Sequence, residues 1–164
     1  MPQSRINTSL SVVGGESDIL PSYVQVLRKW RVALCTTHGS CYTRQNLARH
    51  LFEKHRTPSD QRRRIESNTQ MHNVAATNSD AVQPPDGTEE IHGLPTVLKY
   101  LCHFEQCDFR TTSTDRIRQH YNRQHQWQVS RQGAMPWHQA HVQTLFSQSQ
   151  AQRYFAVVLA DQVH

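Results

Sequence analysis

The chain has 164 residues, a formal net charge of +5 and a pI near 9.3, and only 36% of its residues are hydrophobic. This apolar fraction is too small for a large core, so we expect part of the chain to be disordered or to be stabilised by something other than apolar packing. The basic excess favours a polyanionic partner, nucleic acid above all. The sequence shows no secretory signal and no apolar run near the roughly 18 residues that a membrane span needs, which predicts an intracellular protein without a membrane partner.

The first part of the chain predicts an arm followed by a structured unit. Residues 1–20 are polar and Ser-rich, which is typical of a disordered arm. Residues 21–72 form the first unit, with short extended segments up to Cys35 and a helix from Thr43 to His55. Thr43 is the expected N-cap of that helix, and a second helix is expected over 59–71.

The second part of the chain repeats this order after a spacer. Residues 73–92 contain two prolines, a glycine and small polar residues, which predicts a flexible linker. Residues 93–130 predict a second unit, with a strand over 98–102 and a helix over 114–125. Residues 131–164 are Gln-rich and are expected to pack as an apolar segment. Within it, the spacing of Val142, Leu145 and Phe146 is helical, and 153–159 predicts a strand or a buried helical turn.

The four cysteines fall into two close pairs, and each pair is followed by two histidines. In a reducing compartment such pairs bind metal more often than they form disulfides. The second set reads Cys102-x4-Cys107-x12-His120-x4-His125, which lies within the spacing of zinc sites with two cysteines and two histidines. Two thiolates on a turn and two imidazoles about one helical turn apart can close a tetrahedron around Zn²⁺.

The first set, Cys35-x5-Cys41-x8-His50-x4-His55, has a longer cysteine loop and a shorter spacing to the histidines. Cys41 is expected close to the N-terminus of the first helix, where the helix dipole stabilises a thiolate. His38 is a possible substitute ligand, although we favour a solvated loop histidine. We therefore predict two Zn²⁺ ions, each with four protein ligands, which is typical of structural rather than catalytic zinc.

These elements predict an α+β fold, namely a small zinc-stapled domain. It would contain two C2H2-like ββα finger units, a linker helix and a C-terminal packing segment of helix or strand. His103-Phe104-Glu105 matches the H-x-E of zinc deaminases, but the P-C-x-x-C that those enzymes also need does not occur. The sequence contains no H-E-x-x-H, P-loop or G-x-S-x-G motif either. We therefore expect neither enzymatic activity nor a small-molecule substrate.

The two helices of such units also carry candidate DNA contacts. Helix positions −1, 3 and 6 of a DNA-reading finger face the bases, while nearby arginines contact phosphates. Forty-six residues separate His55 from Cys102, which argues against tandem reading along one groove. The candidate base contacts are Thr43, Asn46 and Arg49 in the first helix and Ser113, Arg116 and Gln119 in the second, and the candidate phosphate contacts are Arg44, Arg118 and Arg123.

Three features of the chain resemble a known family: the paired Cys/His sets, the H-x4-H-x-W that ends at Trp127, and a VQTLF…RYF tail. Together they resemble a fungal domain family named after the orsellinic acid biosynthesis cluster protein D, from about Tyr23 to Leu159. Members of this family typically carry two fingers, and related modules are joined to helicase-like domains. The resemblance implies zinc binding by both Cys/His sets and a DNA-linked role. It does not imply polyketide synthesis, because the family name reflects a gene neighbourhood.

The leading functional prediction is a zinc-dependent, nucleic-acid-binding accessory or regulatory factor. Duplex DNA is the expected partner and the nucleus the expected location. The alternative is a zinc-stabilised protein-interaction module without nucleic-acid binding, which would dock a protein partner through the C-terminal segment or the 59–71 helix. Nucleic-acid binding should weaken steeply with salt, and this separates the two predictions.

Overall fold

A computed structural model describes residues 20–127, 136–148 and 150–162. Its described residues form an α+β fold, which confirms the predicted fold class. The helices are α1 (Arg44–His55), α2 (Ser59–Met71) and α3 (Thr114–Gln124). The strands are β1 (Val24–Leu27), β2 (Val32–Cys35), β3 (Ser40–Tyr42), β4 (Thr88–Glu89), β5 (Val97–Leu101), β6 (Arg110–Thr111), β7 (His138–Thr144) and β8 (Tyr154–Val158). A three-stranded antiparallel sheet has the order β1-β2-β3, and a five-stranded mixed sheet has the order β4-β8-β7-β5-β6.

The helices lie close to where the apolar periodicity predicts them. Leu47 and Leu51 of α1 are each 1% exposed, and they pack with Ile65 of α2 against Val24 and Ala33 of the first sheet. Thr43 is the N-cap of α1, as predicted, but its side chain makes no capping hydrogen bond. Burial of the leucine face against the sheet therefore holds α1 in place without help from the cap.

The main core lies between the two sheets. Cys41 of β3 donates its backbone N–H to the carbonyl of Leu145, just after β7, at 2.8 Å, which ties the sheets together at one edge. The buried side chains that fill this core are Trp30, Val32, Leu34 and Cys41 from the first half of the chain and Leu94, Leu145, Phe155 and Val157 from the second.

The segment 73–92 is not the flexible linker that its composition predicts. Ala75 donates its N–H to the carbonyl of Arg31 at 2.8 Å, and Val82 donates to the carbonyl of Trp30 at 3.0 Å. Further along, β4 pairs in parallel with β8. Prolines and small polar residues suit a connection that turns often, and such a connection can still be packed when its backbone groups find partners.

The C-terminal segment contributes two strands to the middle of the larger sheet instead of packing on a finished domain. Val142 lies within β7, and Leu145 follows the end of this strand, so the helix that their spacing predicts is wrong. Of the two alternatives for 153–159, a strand or a buried helical turn, the structure shows the strand, as β8. Residues 1–19 of the predicted arm, together with 128–130, 131–135, 149 and 163–164, lie outside the described residues.

The buried side-chain amide of Gln143 in β7 holds the segment that precedes β5 in place. Gln143 is 1% exposed, and its Nε2 donates to the carbonyls of Ile91 and Leu94 and to the hydroxyl of Thr96, each at 3.1 Å. Its Oε1 accepts the N–H of Ile91 at 2.9 Å. Every polar atom of this side chain therefore has a partner, as a buried amide requires.

Replacing Gln143 with leucine is expected to lower the free energy of unfolding by about 2–4 kcal/mol, because it leaves the buried groups of Ile91 and Leu94 without partners. Urea denaturation followed by circular dichroism measures this change. Gln70, which is exposed on α2, provides the control: its replacement by leucine should change stability by less than about 0.5 kcal/mol. Equal effects at the two positions would contradict the role assigned to Gln143.

No helix among the described residues is both long enough and apolar enough to cross a membrane.

Candidate metal centres

Two groups of histidines and cysteines converge within the described part of the chain. One consists of Cys35, His38, His50 and His55, and the other of Cys102, Cys107, His120 and His125. In each group one ligand atom per residue lies within 4.8 Å of all the others. Each group could therefore hold a metal ion with four protein ligands.

The second group is built from a strand end, a turn and a helix. Cys102 follows β5, Cys107 precedes β6, and the two histidines lie at the C-terminal end of α3. Ile117 and Tyr121 are fully buried and anchor α3 over β5 and β6. The structure thus brings together all four residues that the sequence pattern assigned to this centre.

The separations in the second group match the edges of a tetrahedron around one ion. The Cys102 sulfur lies 3.3 Å from His125 Nε2, and the Cys107 sulfur lies 3.2 Å from His120 Nε2. The two Nε2 atoms are 3.2 Å apart. A tetrahedral Zn²⁺ with ordinary bond lengths requires about 3.5 Å between sulfur and nitrogen and about 3.3 Å between two nitrogens. A zinc-sized ion therefore fits between these four atoms.

The first group reaches the same geometry with one sulfur and three imidazoles. The Cys35 sulfur lies 3.4 Å from His38 Nδ1 and 3.4 Å from His55 Nε2. The Nε2 atoms of His55 and His50 are 3.3 Å apart. Cys35 is fully buried at the end of β2, whereas His38 is exposed in the turn that follows. Since α1 packs on the same face of β2, its two histidines arrive above the Cys35 sulfur.

The assignment of Cys41 to this centre is wrong in the structure. Cys41 pairs with Leu34 across the β2–β3 hairpin, whereas Cys35 pairs with Ser40. Because side chains alternate between the faces of a strand, Cys35 and Cys41 project to opposite sides. The Cys41 side chain enters the core between the sheets, where burial raises the pKa of its thiol to about 12.

His38 takes the place of Cys41 in the first candidate metal centre, although we favoured a solvated loop residue. The spacing contains a signal for it: Cys35-x2-His38-x11-His50-x4-His55 is regular, whereas counting from Cys41 leaves only eight residues before His50. The turn is closed by Gly39 at a φ of 60°, and a Cβ there would lie 3.0 Å from Pro95. This tight turn places His38 back over Cys35.

An aromatic ring stacks on each of the four helical histidine ligands. In the first centre Tyr23 stacks on His55 and Tyr42 on His50, both with centroids 4.1 Å apart. In the second, Phe104 stacks on His125 at 3.9 Å and Phe109 on His120 at 4.0 Å. Sequence reasoning missed these residues, although one phenylalanine lies two positions after each cysteine of the second pair. The stacked rings restrict each imidazole to a single plane.

Replacing Phe109 with leucine is expected to weaken metal binding at the second centre by about tenfold, because supporting groups around metal ligands typically have effects of that size. Competition against a chromogenic chelator measures the change. Phe52→Leu is the matched control, since Phe52 is half exposed on α1 and stacks on no metal ligand. Equal affinities for the Phe109→Leu and Phe52→Leu proteins would contradict a positioning role for Phe109.

Burial keeps the histidines in the form that binds metal. Burial lowers the pKa of His50 to about 4, and the neighbouring His38 adds to this effect. Burial also lowers the pKa of His55 and that of His120, where His125 contributes. A neutral imidazole retains the lone pair that coordinates a metal. These histidines are therefore ready to coordinate at neutral pH.

The candidate DNA contacts of α1 are largely covered by the chain itself. Thr43 is fully buried, and Asn46 hydrogen-bonds Asn78 at 3.5 Å. Arg44 is half-buried, and its backbone N–H donates to the carbonyl of Ala75 at 3.0 Å. Of the candidates on this helix, only Arg49 is exposed. The segment 73–92 thus occupies the space that a DNA groove would need at the start of α1.

The outer face of α3 is open by contrast. Ser113 caps the helix by accepting the N–H of Arg116 at 3.3 Å, so its hydroxyl is committed to the helix start. Arg118 lies 3.7 Å from Asp115 in a solvent-exposed ion pair. The candidate contacts of α3 that the structure leaves exposed are Arg116, Arg118, Gln119 and Arg123.

Comparison with known proteins gives one family. Neither the curated proteins nor the solved structures contain a match to this chain. The family model described as "Orsellinic acid/F9775 biosynthesis cluster protein D" matches residues 23–126, which is more than half of the chain. The matched range includes both candidate metal centres. The chain therefore belongs to the orsellinic acid/F9775 biosynthesis cluster protein D family.

Proposed function

We propose that this protein is a zinc-stabilised, nucleic-acid-binding accessory factor that contacts duplex DNA through α3. Both centres bind Zn²⁺ in this proposal. Mixed thiolate and imidazole ligands suit Zn²⁺, and the ligand-to-ligand distances fit its tetrahedron. Each ion is structural, because four protein ligands leave no position for a substrate or an activated water.

One observation carries the DNA-binding part of the proposal: the basic face of α3 is open while the corresponding face of α1 is covered. Arg116 and Gln119 occupy the positions from which a finger helix reads bases, and Arg118 and Arg123 can contact phosphates. A single helix of this kind reads about 3 bp, so sequence selectivity would be modest. The second unit is then the contact module, and the remaining fold acts as its scaffold. A nuclear location belongs to the same proposal.

Replacing Arg123, a candidate phosphate contact, with alanine is expected to weaken binding to every duplex and to reduce the salt slope of log K by about 0.9, which corresponds to one lost phosphate contact. Replacing Arg116, which occupies a base-reading position, with alanine is expected to lower the affinity for the preferred sequence by about 5- to 150-fold. Fluorescence anisotropy on a labelled duplex at several salt concentrations measures both quantities. Arg153→Ala is the control, because Arg153 is an exposed arginine outside α3.

If the zinc-loaded protein binds no duplex even at low salt, the DNA-binding proposal is wrong and the alternative of a protein-interaction module is favoured. The C-terminal segment would be a poor docking site in that case, because β7 and β8 both pair on two sides within the sheet. The partner would then have to dock on the helical side of the molecule.

A further inference from the structure

A second surface, on the α1–α2 hairpin, combines positive charge with an exposed aromatic ring. Residues 49–64 contain six lysines and arginines but only two acidic residues, so this stretch carries +4 of the total charge of +5. We define the hairpin patch as Phe52 and its basic neighbours. Its members are Arg49, Phe52 and Arg56 of the α1 end and Arg62 of α2.

Phe52 is at the centre of the hairpin patch and is 50% exposed, although it lies beside a buried helical face. The guanidinium carbon of Arg62 lies 4.7 Å from the centroid of its ring. Arg49 precedes Phe52 by three residues, so it lies on the same side of α1. Arg56 is the exposed C-cap residue, where a φ of 53° ends the helix. The Phe52 ring therefore shares one surface with the guanidinium groups of Arg49 and Arg62, and Arg56 adds a further positive charge at the end of α1.

The cations of the hairpin patch are available to an external anion. Among the described residues, no carboxylate lies within ion-pair distance of Arg49, Arg56 or Arg62. Arg64, which is outside the patch, is 3.9 Å from Asp60, and Glu53 is the acidic residue next to Phe52 in the chain. The local balance stays strongly positive even with both carboxylates counted.

We propose that the hairpin patch binds single-stranded nucleic acid, with one base stacked on the exposed part of the Phe52 ring that Arg62 does not cover and the adjacent phosphates held by Arg49 and Arg56. Stacking on an aromatic ring inside a basic surface is the usual way in which proteins hold single strands. This surface lies on α1 and α2, whereas the proposed duplex contacts lie on α3, so the two proposals can fail separately. The protein would then carry separate surfaces for a duplex and for a single strand.

Duplex DNA does not fit the hairpin patch as well as a single strand does. Paired bases present only their edges in the grooves, so a duplex offers no base face to Phe52. An acidic peptide would satisfy the arginines but would leave the ring without a matching partner. A membrane surface would require several exposed apolar side chains here, whereas the patch contains only Phe52.

The test compares Phe52→Ala and Arg49→Ala with the unmodified protein by fluorescence anisotropy on labelled oligo(dT) and on a labelled duplex. Phe52→Ala is expected to weaken oligo(dT) binding by about fivefold or more, which is the range for a lost base stack, and to leave duplex binding unchanged. Arg49→Ala should reduce the salt slope for oligo(dT) by about 0.7. Val82→Ala, which truncates another exposed apolar side chain, is the matched control and should change neither affinity.

Three results would overturn the proposal. The first is oligo(dT) binding that is unchanged by Phe52→Ala. The second is binding of polyglutamate as tight as that of oligo(dT), which would assign the patch to acidic proteins. The third is stronger binding to anionic lipid vesicles than to oligo(dT). Arg116→Ala completes the design, because it should weaken duplex binding alone and so reports on the α3 proposal independently.

Discussion

Alanine in place of Cys41 is expected to leave two zinc ions bound per chain, whereas alanine in place of Cys35 reduces the number to one. The Cys35 sulfur faces three histidine nitrogens, while Cys41 projects into the core on the opposite face of the hairpin. Elemental analysis by mass spectrometry on gel-filtered protein measures the ratio. Loss of the Cys41 sulfur should cost about 1 kcal/mol of stability through packing alone.

His38→Ala completes this experiment, because it removes the ligand that the sequence pattern did not assign. It should lower zinc occupancy at the first centre while leaving the second centre filled. Cobalt substitution gives an independent readout, since thiolate charge-transfer absorbance should come from three sulfurs: Cys35, Cys102 and Cys107. If the Cys41→Ala protein loses one zinc ion while the His38→Ala protein keeps both, Cys41 is the fourth ligand of the first centre, as the sequence pattern predicts, and His38 is not.

Metal removal by a strong chelator is expected to unfold the Cys102–His125 region, including α3, completely and the first unit only in part. A structural zinc site contributes on the order of 10 kcal/mol, which is as much as the whole stability of a typical domain. Without the ion, α3 is held mainly by Ile117 and Tyr121, whereas α1 and α2 keep the apolar cluster of Leu47, Leu51 and Ile65. Circular dichroism and hydrogen exchange measure the loss.

Hydrogen exchange after metal removal should distinguish the two units. Amides of α3 should lose protection entirely, amides of α2 should retain part of theirs, and added zinc should restore both. Unchanged circular dichroism and unchanged exchange in protein shown to be free of metal would contradict a structural role for the ions. Equal loss in both units would instead mean that the two centres stabilise a single cooperative fold.

Features that depend on near neighbours in the chain were predictable from the sequence. The faces of α1 and α3 follow from apolar residues three and four apart, and Leu47, Leu51, Ile117 and Tyr121 are all buried. The four residues of the second group come together as their spacing predicts, because a turn and the helix that follows it bring them close locally. Composition misled the prediction for 73–92, since turn-forming residues say nothing about which backbone groups find partners.

Three features of this protein follow from the amino-acid sequence alone: the histidine pair at the end of each helix, the cysteine that opens each centre and the α+β class. The choice between His38 and Cys41 at the first centre does not follow from the sequence, because it depends on which face of a hairpin meets the core. The same holds for the cover that 73–92 places over α1 and for the C-terminal strands that complete the larger sheet. Strand pairing joins residues far apart in the chain, and local periodicity carries no information about such partners.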